Sequence, residues 1–150
     1  MRSRRLQPGD RELARALFAL MAEVFEEPYE VLGDRYLDGL LARQDFWALA
    51  AFDGDQIIGG VTAHSLPMTR SETAEVFIYD LAVRQDHQRT GVGRHLVAEL
   101  RHSAAASGIE NVFVAADNDD VHALDFYRAL GGNASPVTLF TFAPGGKESA

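Results

Sequence analysis

Leu13, Leu17, Leu20, Met21 and Val24 recur at three- and four-residue intervals in DRELARALFALMAEVFEE, the spacing of one helical stripe, with Asp10 placed as its N-cap. GDRYLDGLLARQ reads as a shorter second helix. The pattern then changes period. FWALAAFD and QIIGGVTAHSL are apolar, β-branched runs that predict two strands, and the Asp-Gly of the DGDQ between them predicts a hairpin. AEVFIYDLAV predicts a further strand. Beyond it, Val92, Leu96, Leu100 and Ala104 repeat every four residues, and Gly108 closes that helix. NVFVAAD predicts a short buried strand. VHALDFYRALGG predicts a helix with Ala123, Phe126, Tyr127 and Leu130 at helical spacing, and SPVTLFTF a last strand.

The expected order is two helices, a meander of strands, then strand–helix–strand–helix–strand. Helices and sheet must each bury an apolar face against the other, so a mixed α/β fold follows, as a single domain over 1–150. The step from strand 76–83 through helix 91–107 to strand 111–116 has the length of a parallel crossover. With no cysteine, disulfides, thiolate metal sites and cysteine nucleophiles are excluded. The basic start MRSRRLQPGD leads into no unbroken apolar run, so it does not read as a secretory signal, and no stretch is apolar enough to span a membrane. The expected location is cytoplasmic.

A formal net charge of −8, from 22 acids against 14 bases, repels nucleic acid and anionic lipid and favours cationic ligands. The acids are clustered. Residues 23 to 38 hold Glu23, Glu26, Glu27, Glu30, Asp34 and Asp38 against Arg35, and residues 117 to 125 hold Asp117, Asp119, Asp120 and Asp125 with no base. A solvated acidic face is the plain alternative to a cation-binding one.

Two features carry candidate chemistry. In DHQRTGVGRHL, Gly91 and Gly93 stand at the start of the third helix, flanked by Arg89 and Arg94. A helix start leaves backbone N–H groups unsatisfied and carries a partial positive charge, so bare glycines there let a phosphate approach the amides. The other is Asp80, an acid inside an otherwise apolar strand, where an ionised carboxylate is costly without a partner. Asp80 is either a structural acid, paired or hydrogen-bonded, or a general base.

QRTGVG matches the Q/R-x-x-G-x-G/A loop of the GNAT acyltransferases, and it follows the strand where that family keeps it. The chain resembles that family over nearly its whole length. ALAAFDGDQIIGG, EVFIYDLAV and AAD…ALDFYRALG further resemble aminoglycoside 3-N-acetyltransferases of the gentamicin-modifying type. The resemblance implies a GNAT fold, a mixed, mostly antiparallel twisted sheet flanked by helices, with a splayed parallel strand pair holding acetyl-CoA.

It implies that Gln88, Arg89, Thr90, Gly91, Val92, Gly93 and Arg94 bind the pyrophosphate of coenzyme A. The pantetheine arm would pair with the strand edge at Leu81, Ala82 and Val83, with Ala123 and Phe126 also lining the coenzyme. Asp80 is the implied general base with Glu75 in reserve, and Tyr127 the proton donor to the leaving thiolate, although its place on an apolar stripe also suits a core residue. Glu26, Glu27, Tyr29, Tyr79, Asp117, Asn118, Asp119 and Asp120 would receive the amine, an aminoglycoside. No metal is implied. Only one strand is evident after the tyrosine helix, where many such domains have two, so a homodimer completing the sheet edge is the expected assembly. Another polyamine, a protein amine, and a non-catalytic acyl-CoA-binding module stand as the alternative readings.

Overall fold

The computed structural model describes residues 1–146, which fall into two compact units, Met1–Ala115 and a second that begins at Ala116. The first unit runs β1 (Arg2–Arg5), α1 (Arg11–Val24), α2 (Asp34–Ala42), β2 (Phe46–Asp53), β3 (Gln56–Pro67), β4 (Ala74–Val83), α3 (Val92–Ala106) and β5 (Asn111–Val114). The second holds α4 (Val121–Ala129). The sheet order is β1-β2-β3-β4-β5, antiparallel throughout except for the parallel β4–β5 pair. The expected crossover is therefore present, and so is the mixed α/β sheet flanked by helices.

Helices cover both faces of this sheet, each through its own core. On one face Val92, Leu96, Leu100 and Ala104 of α3 pack with Val61, Ala63, Val76 and Ile78. On the other, Ala14, Leu17 and Met21 of α1 and Leu37 and Leu41 of α2 pack with Phe46, Ala48, Ala50 and Ala82. The stripe read from the sequence is the buried face of α3, whereas on α1 Leu17 and Met21 are buried with Leu13, Leu20 and Val24 only partly so, and no residue of the α4 stripe is fully buried. α1 packs so closely that a Cβ on Gly60 would stand 2.3 Å from Leu17 Cδ1 and 2.8 Å from the Leu49 carbonyl oxygen. Leu17 is fully buried and the carbonyl belongs to the β2–β3 ladder, so neither can withdraw freely. Gly60→Ala is expected to cost about 1–3 kcal/mol as over-packing. Thermal unfolding by circular dichroism should show a melting temperature lower by roughly 2–10 °C.

Four expectations need correction. β1 was not anticipated; RSRR has no apolar alternation, and it forms a strand because its backbone pairs with β2 while Arg2 and Arg5 lay their guanidinium groups over the Phe52 and Trp47 rings. Asp10 occupies the N-cap position of α1, yet its carboxylate accepts from the Gln7 N–H and from Arg4 and not from the helix amides. NVFVAAD is shorter than expected, with the strand ending at Val114. The last predicted strand, SPVTLFTF, is absent: residues 133–143 have no regular structure. Strand propensity reflects packing on neighbours, and among the described residues this segment has no ladder partner.

Candidate active site

The register of β3 against β4 shifts at one point. Thr62 faces Asp80 and Ala63 faces Ile78, which leaves Tyr79 as an extra residue, a β-bulge. The bulge changes which side chains share a face. Before it, Val76 and Ile78 point into the α3 core; after it, Leu81 and Val83 pack against that same core. Phe77 and Tyr79, then Asp80 and Ala82, consequently lie on the face covered by α1 and α2. Ala82 is part of that core, and the Tyr79 ring meets Phe77 at 6.2 Å and His64 at 5.7 Å. An unbroken strand would have put Tyr79 and Asp80 on opposite faces.

Among the described residues the Asp80 carboxylate has neither a hydrogen-bond nor an ion-pair partner. It is half-buried, and burial pushes its pKa above the usual carboxylate range, with the negative charge of Glu27 adding to the rise. Glu27 lies just past α1, where Glu26 takes a left-handed backbone conformation, φ 55°. Loop and bulge thus bring two carboxylates of separate elements near one another. A group held this way is poised to accept a proton nearer neutral pH than an exposed aspartate is.

β4 also outruns its neighbour. The β4–β5 ladder ends at Ile78–Val114, so among the described residues β4 beyond the bulge has no strand on that side. Arg84 N–H donates to Ile58 on β3, and residues along a strand alternate direction, so Leu81 and Val83 aim their backbone groups at the open side. The Gln88 side chain donates to the Val83 carbonyl at 3.0 Å, which leaves the Leu81 pair and the Val83 N–H free to take an extended ligand.

The glycine loop follows directly. Arg89 and Gly91 both have positive φ, 63° and 89°, and Gly91 is the N-cap of α3, with no side chain capping the helix amides. Val92 is buried under the sheet, while Arg89, Thr90 and Arg94 are exposed around those amides. Uncapped N–H groups, a left-handed glycine and two arginines suit a diphosphate, and the open β4 edge beside them suits an amide-bearing arm. The observed residues therefore fit a coenzyme of that form. A cleft of about 900 Å³ borders the loop on the α1 side, lined by Leu13, Leu20, Glu26, Ile57, Arg84 and Gln88 among others.

Other candidate residues are placed differently. Glu75 enters β4 five residues before Asp80, roughly 16 Å along the strand, and accepts from Asn111 Nδ2. Of the first acidic cluster, Asp34 and Asp38 are engaged by Arg11 and Arg15, whereas Glu26 and Glu27 form no ion pair among the described residues. The Tyr29 hydroxyl donates to the Arg15 carbonyl at 3.5 Å. In the second unit Asp120 caps α4, accepting from the Ala123 N–H at 3.1 Å, so one acid of that cluster has a structural task. The Tyr127 ring packs edge-on against Phe126, and burial together with the Asp120 charge raises its pKa, so it is protonated at neutral pH. Asp117, Asn118 and Asp119 lie in the loop before α4.

Sequence reading missed the aromatic run on the α1 and α2 face, Phe46–His64–Tyr79–Phe77–Phe113, with Phe77 and Phe113 stacked at 5.0 Å. Its signal was an aromatic at every second position of VFIY. It also missed His87, which bridges Asp53 and Asp86 and is held above its usual pKa by those two carboxylates, Asp86 first. No spacing pattern announced that contact.

Residues 14–131 match the acetyltransferase (GNAT) family, and the chain belongs to it. Acetyl-CoA is the coenzyme of that family's acetyltransferases. The chain is 30% identical over 81 residues to the uncharacterized N-acetyltransferase YvbK of Bacillus subtilis (strain 168), matching 54% of this chain and about half, 49%, of that relative's length. Among solved structures it is similar to an aminoglycoside acetyltransferase, meta-AAC0020, from an uncultured soil metagenomic sample, in complex with trehalose. The two share 32% identity and a TM-score of 0.89, covering 95% of this chain and 94% of that one. The same acetyltransferase in complex with sisomicin matches with 31% identity, a TM-score of 0.89 and the same coverage. A second soil aminoglycoside acetyltransferase, HMB0005, matches with 31% identity, a TM-score of 0.88 and coverage of 95% and 97%.

Proposed function

We propose that this GNAT acetyltransferase moves an acetyl group from acetyl-CoA to the 3-amino group of a deoxystreptamine aminoglycoside of the gentamicin type, works as a homodimer in the cytoplasm, and so confers antibiotic resistance. The observation that carries the reading is the half-buried Asp80 carboxylate, unpartnered among the described residues, set by a bulge beside Glu27 at the open β4 edge. Two solved relatives named as aminoglycoside acetyltransferases support the acceptor class.

Acetyl-CoA supplies an acetyl group already activated as a thioester. Gln88 to Arg94 hold its diphosphate through the α3 amides and the two arginines, and Leu81 and Val83 pair with its amide arm. Ala82, between them, keeps its side chain in the α1–α2 core and lines the coenzyme only through this stretch of strand, while Ala123 and Phe126 line the coenzyme from α4. An ammonium has no lone pair, so the acceptor nitrogen must first lose a proton, which Asp80 takes directly or through one water. Glu75 is the reserve base. Tyr127 holds a proton on its hydroxyl at neutral pH for the departing sulfur. Glu26, Glu27, Tyr29, Tyr79, Asp117, Asn118, Asp119 and Asp120 receive the ring amines and hydroxyls.

The deciding experiment is a screen of gentamicin, sisomicin, linear polyamines and lysine peptides with acetyl-CoA, reading free thiol and locating the acetyl group by NMR. Acetylation at the 3-amino group supports the proposal. Acetylation at another amine overturns its regiochemistry, and turnover confined to linear amines or peptides overturns its acceptor.

Acceptor charge gives an independent check. A polycation held by several carboxylates should show a KM that rises progressively with salt, because partly exposed charges are screened over about 8–10 Å at physiological strength. Asp117→Asn and Asp120→Asn should flatten that rise; asparagine caps a helix about as well as aspartate, so α4 is spared. Glu110→Gln, outside both clusters, should leave it unchanged. A KM indifferent to salt and to these substitutions in steady-state kinetics would return the clusters to solvated surface.

A further inference from the structure

One side chain that the proposed chemistry does not use ties the glycine loop to a neighbouring element. β4 ends at Val83, residues Gln85–His87 form a single 3-10 turn, and the His87 N–H closes it by donating to the Arg84 carbonyl at 2.9 Å. From there the His87 ring reaches the β2–β3 hairpin. Its Nδ1 stands 2.9 Å from Asp86 Oδ1, and its Nε2 stands 3.3 Å from Oδ2 of Asp53, the last residue of β2.

A carboxylate oxygen at each ring nitrogen decides the state of the ring. Ionised carboxylates only accept, and a neutral imidazole has a single N–H, so satisfying both contacts takes the imidazolium. A neutral ring would turn a lone pair toward one carboxylate, and the longer contact, to Asp53, is the one to open. Arg84 takes the other oxygen of Asp86, Oδ2, at 3.1 Å. Asp53 from the hairpin and Asp86 from the ring's own segment, with Arg84 behind it, are thus the charged groups that bear on His87. Among the described residues neither β3 nor α3 gives the ring a hydrogen bond or an ion pair. Asp86 and then Asp53 hold its pKa above the usual value, so the proton leaves at higher pH than from a free histidine.

The loop depends on the same residue. The Thr90 hydroxyl donates to the His87 carbonyl at 2.5 Å, and Arg89 between them holds φ 63°. A non-glycine residue keeps that left-handed conformation only where its surroundings fix it. Charge acts in the same direction. Protonated His87 and Arg84 balance Asp53 and Asp86; without the proton the group carries one net negative charge beside the place where a diphosphate is expected.

Resting on the reading of the glycine loop as the diphosphate site, we propose that His87, as an imidazolium clamped between Asp53 and Asp86, is a positioning residue for acetyl-CoA. It holds the loop in its binding shape, and coenzyme affinity falls when the ring gives up its proton. The coupling is reciprocal, so bound acetyl-CoA makes that proton harder to remove.

Calorimetric titration with acetyl-CoA from about pH 6 to about pH 9 brackets the histidine range. The ratio of parent to His87→Gln affinity cancels the titration of the coenzyme's own phosphates. It should be about three- to tenfold at the acid end, the scale of one or two exposed ion pairs, and vanish at the alkaline end. Asp53→Asn keeps an oxygen opposite Nε2 without its charge, and should move the fall in affinity to lower pH. The Asp53 side chain is 69% exposed, so that variant keeps its fold. In NMR titration, the imidazole resonance missing from His87→Gln should show a pKa that rises when acetyl-CoA binds. An affinity ratio equal at every pH, an Asp53→Asn curve that coincides with the parent's, or a His87 pKa indifferent to acetyl-CoA would each overturn the inference. Gly93→Asp tells which reading has failed. If it binds acetyl-CoA as the parent does, the loop is not the diphosphate site and both readings fall; if it cannot bind while the ratio stays flat, only the role of His87 is lost.

Discussion

Asp80→Asn is expected to lower turnover by about 10²–10⁴-fold, the range typical of losing a general base, while acetyl-CoA affinity changes little. The substitution keeps shape and size and removes the proton acceptor. A second reading comes from stability. Burial and Glu27 raise the pKa of Asp80 in the folded chain above its unfolded value. The folded state therefore binds the extra proton, and stability falls as pH rises from the unfolded pKa through the folded one. Above that window the parent carries the full penalty of an ionised Asp80. The neutral asparagine escapes it, so the variant should melt higher than the parent at pH 7 while being far slower. A structural acid would give the opposite pair, lower stability and near-normal turnover. Glu27→Gln refines the assignment: removing that charge should lower the Asp80 pKa and move the acidic limb of the rate profile to lower pH. An acidic limb that ignores Glu27→Gln, or turnover of Asp80→Asn within a few-fold of the parent, would pass the role to Glu75.

The elements around this site were legible in unequal measure, for physical reasons. The bounds of β4 follow from a ten-residue run that is apolar but for Glu75 and Asp80, and α3 from a four-residue repeat that proves fully buried. The bulge at Tyr79 was invisible, because it contains no glycine and arises from the match of two strands and not from either alone. Its consequence, that Tyr79 and Asp80 share a face, therefore needed the structure. β1 was hidden for the reverse reason: its side chains are polar because an edge strand needs only its backbone to pair, and its arginines find aromatic rings beneath them. Segment 133–143 shows the limit of propensity, a strand composition that forms no ladder among the described residues. The acids teach the same lesson at the level of side chains. Asp34 and Asp38 are neutralised by Arg11 and Arg15 from α1, and Asp120 caps α4, so cluster membership alone did not distinguish them from Glu26 and Glu27.

Gly91 and Gly93 should respond to the same aspartate in opposite ways in stability and in the same way in binding. Gly91 sits at φ 89° with nothing within 4 Å of a Cβ, so its cost to any other residue is conformational, about 1–2 kcal/mol, and not steric. Gly91→Asp should therefore destabilise the protein. Gly93 is the second residue of α3, whose first turn contains no acid. An aspartate there meets the positive end of the helix and replaces the poorest helix former after proline, so Gly93→Asp should raise the melting temperature. Both place a carboxylate where a diphosphate is expected, and like charges brought together cost several kcal/mol. On the scale of tenfold per 1.4 kcal/mol, acetyl-CoA affinity should fall by roughly 100-fold or more in each. Gly91→Ala separates the strain from the charge, since it should lose stability with affinity reduced only a few-fold. Calorimetric titration with acetyl-CoA, paired with thermal melts, reads all three variants. The telling case is Gly93→Asp, more stable and unable to bind. If it binds acetyl-CoA as the parent does, the uncapped amides of α3 are not the phosphate site, and the glycines serve only the turn from strand to helix.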